Sequence, residues 1–240
     1  IRDAHVSARR TSADSHTAID LTAFNTDGFD LSGTDIHVHD CSVWNQDDTF
    51  CIKAKGEDTR NVLIENVRAS GVGLSIGSIG NQNVKNVTFR NVNMHHTDKG
   101  IYLKFRDSAS KGGVIEDVLY ENIFIDKPSS WPIWIGPAQQ DIKGSGTGPY
   151  NPCHGDPCSL CWPQIPGSEC NAPDQGQHVN VTLRNITVNS PKGNPGVILA
   201  NSSVAMQNVV FENVVVNNPS TKKTKWGTNY FCEGVATGVA

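Results

Sequence analysis

Asn61-Val62-Leu63-Ile64-Glu65-Asn66 decides the fold, because the chain repeats it. The pattern returns at Asp35-Ile36-His37-Val38-His39-Asp40, at Asn86 to Asn91, at Asp117 to Asn122, at Asn180 to Asn185 and at Asn208 to Asn213. Each copy opens with Asn or Asp and carries Asn five residues on (Asp40 in the first). A further alternating run follows, as in Asn122-Ile123-Phe124-Ile125-Asp126. The copies start 26, 25, 31, 63 and 28 residues apart. The step of 63 is one coil with a long insertion, or two coils of which one is unrecognisable.

Working outward, a second series runs at the same period: Phe29-Leu31, Phe50-Ile52, Leu74-Ile76, Ile101-Leu103, Ile133-Ile135 and Val197-Leu199. Each alternates with period two, so its apolar residues share one face. No segment has a helical period. Short alternating strands, Gly, Asn, Asp and Pro breaks, and a repeat near 26 residues describe an all-β parallel β-helix. A single coil cannot bury its apolar face, so coils stack. Asparagine at a fixed place in each coil is expected to form an internal ladder of side-chain amides, which also satisfies turn backbone groups.

The 240 residues, with 22 Gly, 12 Pro and 18% charged residues, suit a single domain over 1–240. Residues 1–20 read as a partial first coil. Residues 137–177 read as a long inserted loop braced by cysteines, and 219–240 as a C-terminal cap or tail in which Lys222, Lys223 and Lys225 make a solvated patch. The start at Ile1 reads as a cut or mature product. N-terminal coils removed, or a second chain completing the solenoid, are both compatible with it. Net charge -4 and a pI near 6.0 point away from nucleic acid, and no apolar stretch reaches membrane-span length.

Seven cysteines point to an oxidising compartment. Cys153, Cys158, Cys161 and Cys170 cluster in the Pro/Gly-rich insertion, where disulfides and a zinc site with His154 are the two readings. Cys41, Cys51 and Cys232 leave an odd count. Four glycosylation sequons, at Asn86, Asn180, Asn185 and Asn201, agree with secretion; the bland reading is chance matches in an Asn-rich repeat.

Chemistry concentrates in Asn25-Thr26-Asp27-Gly28 and Asn45-Gln46-Asp47-Asp48. Aligning Phe29-Leu31 with Phe50-Ile52 sets Asp27 opposite Asp48, about 5 Å away in the next coil. Asp27, Asp47 and Asp48 therefore converge on one sheet edge, where like charges raise at least one pKa and leave an acid beside ionised bases. That pairing suits glycosidic bond hydrolysis. The bland reading is that these aspartates cap turns.

These motifs resemble the polygalacturonase family, glycoside hydrolase family 28. Asn25-Thr26-Asp27-Gly28 and Gln46-Asp47-Asp48 look like its first two signatures. Gly71-Val72-Gly73-Leu74-Ser75-Ile76-Gly77-Ser78 is similar to the third, and Gly100-Ile101-Tyr102-Leu103-Lys104 falls at the fourth. The resemblance implies a right-handed parallel β-helix that hydrolyses α-linked galacturonan of pectin, with inversion, without metal or other cofactor, outside the cell or in the cell wall. It implies Asp47 as general acid, Asp27 and Asp48 as the groups that hold and activate water, and Lys104 as a ligand for a substrate carboxylate. Asn25 and Tyr102 would also face substrate. The family has His where Val72 stands and Arg where Tyr102 stands. Arg106, on the same side of its strand as Lys104, is the candidate replacement for that guanidinium. Further family coils before the first motif have no counterpart here.

Two classes of function follow. The intact carboxylates and Lys104 support a hydrolase; Val72, Tyr102 and the short N-terminal side support a silent relative that binds carbohydrate or serves structurally. Three unpaired carboxylates are costly to bury without use, which favours the hydrolase. Trp131 and Trp134 read either as a sugar-stacking platform or as packing. His37 and His39 alternate without a third ligand and read as surface histidines rather than a metal pair. His95 and His96, adjacent in a strand, are expected to point opposite ways. Gly71 to Gly80 lacks the helix and Lys-Ser/Thr of a phosphate loop, and no Asp-rich loop has the oxygen spacing of a calcium site.

Overall fold

The computed structural model describes residues 1–8, 25–106, 112–139, 172–220 and 228–235. In chain order the strands are β1 (His5–Ser7), β2 (Phe29–Leu31), β3 (Thr34–His39), β4 (Ser42–Trp44), β5 (Phe50–Ile52), β6 (Thr59–Ser70), β7 (Leu74–Ile79) and β8 (Val84–His95). They continue with β9 (Ile101–Arg106), β10 (Val114–Asp126), β11 (Ile133–Gln139), β12 (Gln177–Asn189), β13 (Gly196–Leu199), β14 (Gln207–Asn217) and β15 (Phe231–Glu233). A single 3-10 turn, Ser202–Val204, is the helical element among the described residues.

The strands form two parallel sheets. One runs β1-β4-β6-β8-β10-β12-β14, with β3 also on β6; the other runs β2-β5-β7-β9-β11-β13-β15. Successive coils stack in register, so that Val62, Val87, Val118, Val181 and Val209 lie side by side. This is the parallel β-helix expected from the repeat. Because β10 pairs directly with β12, the step of 63 residues is one coil with an insertion.

The asparagines explain how a strand of 12 or 13 residues turns a corner. Asn61, Asn66, Asn86, Asn91, Asn122, Asn180, Asn185, Asn208 and Asn213 all have φ between 50° and 55°. Asn and Asp tolerate this left-handed conformation better than other side-chain-bearing residues. Each bend swings the amide outward, and the amides join from coil to coil. Asn86 donates to Asn61 at 2.9 Å, Asn180 to Asp117 at 2.9 Å and Asn208 to Asn180 at 2.9 Å. A second ladder links Asn91 to Asn66 at 3.1 Å, Asn122 to Asn91 at 3.2 Å and Asn185 to Asn122 at 3.1 Å. The expectation of an internal ladder is corrected: both ladders run along the outside, since a left-handed corner points its side chain away from the core. The sequons at Asn86, Asn180 and Asn185 are rungs of these ladders, while Asn201 Oδ1 accepts from Ser203 N at 3.0 Å.

Inside, apolar stacks fill the coil. Phe89 and Tyr120 stack at 4.7 Å and Phe29 and Phe50 at 5.2 Å. The last coil departs from the expected register. Ile133 pairs with Gly196 and Ile135 with Ile198, so Ile198 enters the core while Val197 and Leu199 join an outer cluster with Tyr102, Trp131 and Trp134. Trp131 and Trp134 are both buried, in edge-to-face contact at 5.5 Å, which is the packing reading rather than an open platform.

The segment boundaries shift. β11 continues past 137 to Gln139, β15 within 219–240 adds a strand to the second sheet, and β1 in 1–20 pairs with β4. The four-cysteine cluster, His154, Lys222, Lys223 and Lys225 lie outside the described residues. Cys41, Cys51 and Cys232 are all free thiols, so three rather than one remain unpaired there. His37 and His39 bond Glu65 at 2.8 Å and Asp40 at 2.7 Å. No helix among the described residues is long and apolar enough to cross a membrane.

Candidate active site

The two acidic segments meet because β2 and β5 are neighbours with Phe29 opposite Phe50. Gly28 N donates to Asp48 O at 2.9 Å. Buried Asn45 ties the segments together, its Nδ2 donating to Thr26 O at 2.8 Å and to Asp48 O at 2.7 Å. The positive φ of Asn25 turns its amide toward Asp47, whose Oδ2 accepts from Asn25 N and whose Oδ1 accepts from Asp48 N, each at 2.8 Å. Asp27, Asp47 and Asp48 each offer one carboxylate oxygen within 4.8 Å of the others.

Two ammonium groups enter this cluster. Lys104 Nζ lies 2.6 Å from Asp48 Oδ2. Lys53 Nζ lies 3.4 Å from Asp48, 3.4 Å from Asp27 and 3.5 Å from Asp30. Ser75 Oγ donates to the other Asp48 oxygen at 2.6 Å. Lys53 and Lys104 follow Ile52 and Leu103, which stack on either side of Ile76. Gly77 comes next after Ile76, so no side chain stands between the two lysines. The buried Cys51 thiol lies beneath them and donates to Gly77 O at 3.1 Å.

The three carboxyls titrate apart. Burial, then the charges of Asp47 and Asp48, push Asp27 up to about 7 against the pull of Lys53. Burial and Asp48 raise Asp47, opposed by Lys104 and the two backbone amides. Burial acts on Asp48 in the same direction, but Lys104, Lys53 and the Ser75 hydrogen bond outweigh it and hold this carboxyl well below the usual range. The surroundings thus favour the charged form of Asp48 and the protonated forms of Asp27 and Asp47. The oxygens could approach a cation, but two ammoniums already supply the countercharge.

An open groove of about 910 Å³ runs beside the cluster, lined by Asn25, Asp27, Asp30, Lys53, Lys55 and Arg106 among others. Of the residues singled out in the sequence, Asn25, Asp27 and Arg106 face this groove. Asp47, Asp48 and Lys104 are not among its lining residues; Asp47 is half-buried and Asp48 and Lys104 are buried. Tyr102 is buried, its ring flanked by Lys104 Nζ at 4.6 Å and Lys99 Nζ at 4.8 Å. Val72 packs against the same outer cluster, and its N–H donates to Asp47 O at 2.7 Å. Sequence reasoning missed Lys53 and Asp30, and it quoted Asn45 and Ser75 within motifs without giving either a role. The signal for Lys53 was present: continuing the alternation past Cys51 puts it on the outer face, as Lys104 is one strand beyond β7.

A parallel β-helix with an acid cluster at one sheet edge, backed by lysines and opening on a polar groove, defines a class of solenoid proteins whose site is built on the outside of the coil. Residues 2–151, more than half of the chain, match the family model for glycosyl hydrolases family 28, and the chain belongs to that family. Endopolygalacturonase A of Aspergillus niger is 38% identical over 130 residues, covering 52% of this chain and 33% of the relative. A protein named "Probable exopolygalacturonase C" from Aspergillus niger is 31% identical over 151 residues, covering 57% of this chain and 32% of the relative. The chain thus spans about a third of the length of these relatives. Endopolygalacturonase I from Stereum purpureum, solved with two galacturonates, superposes with a TM-score of 0.52 at 20% identity, covering 88% of this chain and 56% of the other; this likeness concerns the fold.

Proposed function

We propose that the chain is a secreted glycoside hydrolase that cleaves α-linked galacturonan by acid–base catalysis. The observation that carries this reading is the convergence of three carboxyls with opposed titration: Asp48 held ionised by two lysines, Asp27 and Asp47 pushed upward. Asp47 is the general acid. Asp27 and Asp48 hold the attacking water; the three carboxyls, with oxygens within 4.8 Å of one another, are closer than the roughly 6.5–9.5 Å usual for inverting acids, so inversion rests on the family resemblance and not on this spacing. Lys53, Lys55 and Arg106 are the cations that line the groove where a uronate carboxylate would sit. Inversion, the absence of a cofactor and the extracellular location follow the family resemblance, and the names of the relatives support the substrate.

The test is reducing-end release and product mass from polygalacturonate, against rhamnogalacturonan as the comparison polymer. Asp47→Asn should fall by about 100-fold or more while the thermal melt is retained. A specific feature favours the silent-binder reading: Asp48, paired with two ammoniums, is a weak base. A folded protein that binds the polymer yet releases no more than Asp47→Asn would establish that reading.

A further inference from the structure

Immediately before Asn45, on the outer face of the first sheet, lies a second groove of about 300 Å³. Strand register builds it. His5, Ser42, Arg68 and Asn93 stand side by side on β1, β4, β6 and β8. Trp44 lies opposite Ser70 in the neighbouring row. His95 ends β8, and His96 then takes φ 53°. That turn cancels the strand alternation, so both histidines line this groove instead of pointing opposite ways as the sequence suggested.

The chemistry of the lining is one-sided. Among the described residues no Asp or Glu lines it, in a chain of net charge -4. Asp126, the carboxylate in register with His95 on β10, lies outside the lining and has Lys127 at 3.8 Å. A guanidinium at Arg68 offers the planar fork that fits a carboxylate. Half-buried Trp44 lines the groove and contributes indole surface of the kind that packs on a sugar ring. Asn93 offers an amide for hydroxyls. His5 Nδ1 is fixed at 2.7 Å from Ser42 Oγ, which holds this edge in place. A metal is not what the set suits: the converging donor group among the described residues is the aspartate trio, not these histidines.

We infer that this groove is a second, non-catalytic binding site for a carboxylated sugar, held by Arg68, Trp44 and Asn93. It sits one corner away from the carboxylates, so it would hold polymer on the protein without entering the reaction. The inference does not depend on hydrolysis.

The test uses the whole chain carrying Asp47→Asn, titrated calorimetrically with trigalacturonate and run through gels containing polygalacturonate. Two binding events are expected, and adding Arg68→Ala should weaken one by about tenfold, the scale of one charge-assisted hydrogen bond. Arg68→Lys should recover part of the loss. In the otherwise native protein, Arg68→Ala should leave hydrolysis of short oligomers unchanged. Equal isotherms and equal gel retardation with and without Arg68→Ala would overturn the site. Equal retardation by a neutral galactan would overturn the carboxylate specificity. Absence of hydrolysis in the native protein would count against the proposed activity and would not alter the Arg68 comparison.

Discussion

Lys104 Nζ lies 2.6 Å from Asp48 Oδ2, and both groups are buried. Removing one member of a buried pair leaves an uncompensated charge and costs about 3 kcal/mol or more. Lys104→Met is therefore expected to destabilise the protein on that scale, with Lys53 compensating part. Urea unfolding measures it. The double variant Lys104→Met/Asp48→Asn should recover stability; a double variant as unstable as the single one would show that packing, not charge, dominates there.

Asp27 predicts a pH effect of unusual sign. Its carboxyl is 3.8 when unperturbed and about 7 in the fold. Between these values the folded state keeps a proton that the unfolded chain has lost, so stability falls as pH rises from about 4 to 7 and levels off above. Asp47, also raised, acts in the same direction. Asp48, lowered, contributes stability that is complete above its unfolded value and lost only in stronger acid. Asp27→Asn should flatten the decline between pH 4 and 7. Urea midpoints across pH 4 to 8 check this, and an unchanged slope would refute the assignment.

Gly71 sets the positions of both Asn45 and Asp47. A Cβ there would strike Asn45 Oδ1 and lie 2.6 Å from Asp47 O. Gly71→Ala must displace the residue that stitches the acidic segments together. The proposed hydrolysis is expected to fall on the order of 100-fold, the scale of an ångström's misplacement of a catalytic group. Rates on polygalacturonate, with the melt as control, test it.

The outer ladder predicts an order among substitutions at Asn91, whose φ is 55°. It donates to Asn66 and accepts from Asn122. Asn91→Ala loses both bonds and adds left-handed strain, about 2–4 kcal/mol in all. Asn91→Gly loses the bonds but not the conformational freedom, and should melt above Asn91→Ala. Both variants lack the amide, so the comparison isolates the bend, and the reverse order would show that the left-handed bend does not explain the asparagine.

The coils were legible because two independent signals agree: alternation with period two, and Asn or Asp wherever the backbone needs a positive φ. The final coil was misread for a local reason. Val197, Ile198 and Leu199 are all apolar, so nothing in the run fixes its phase; only pairing of Gly196 with Ile133 does. The acids were legible because they precede strands at the same offset. Lys53 was harder, because its meeting with Asp27, Asp30 and Asp48 arises from stacking rather than local spacing. His96 was misread because alternation was extended one residue past the bend.

The direct pairing of β10 with β12 bears on how the protein reaches its native state. Most neighbouring coils join over 25 to 31 residues, whereas Asn180 reaches Asp117 over 63. Closing a longer chain segment costs more entropy before any contact rewards it. Zippering from coil to coil should therefore slow at this step, and the stack up to β10 would form before β12 docks. Amide exchange during refolding should show protection in β6, β8 and β10 preceding that in β12 and β14.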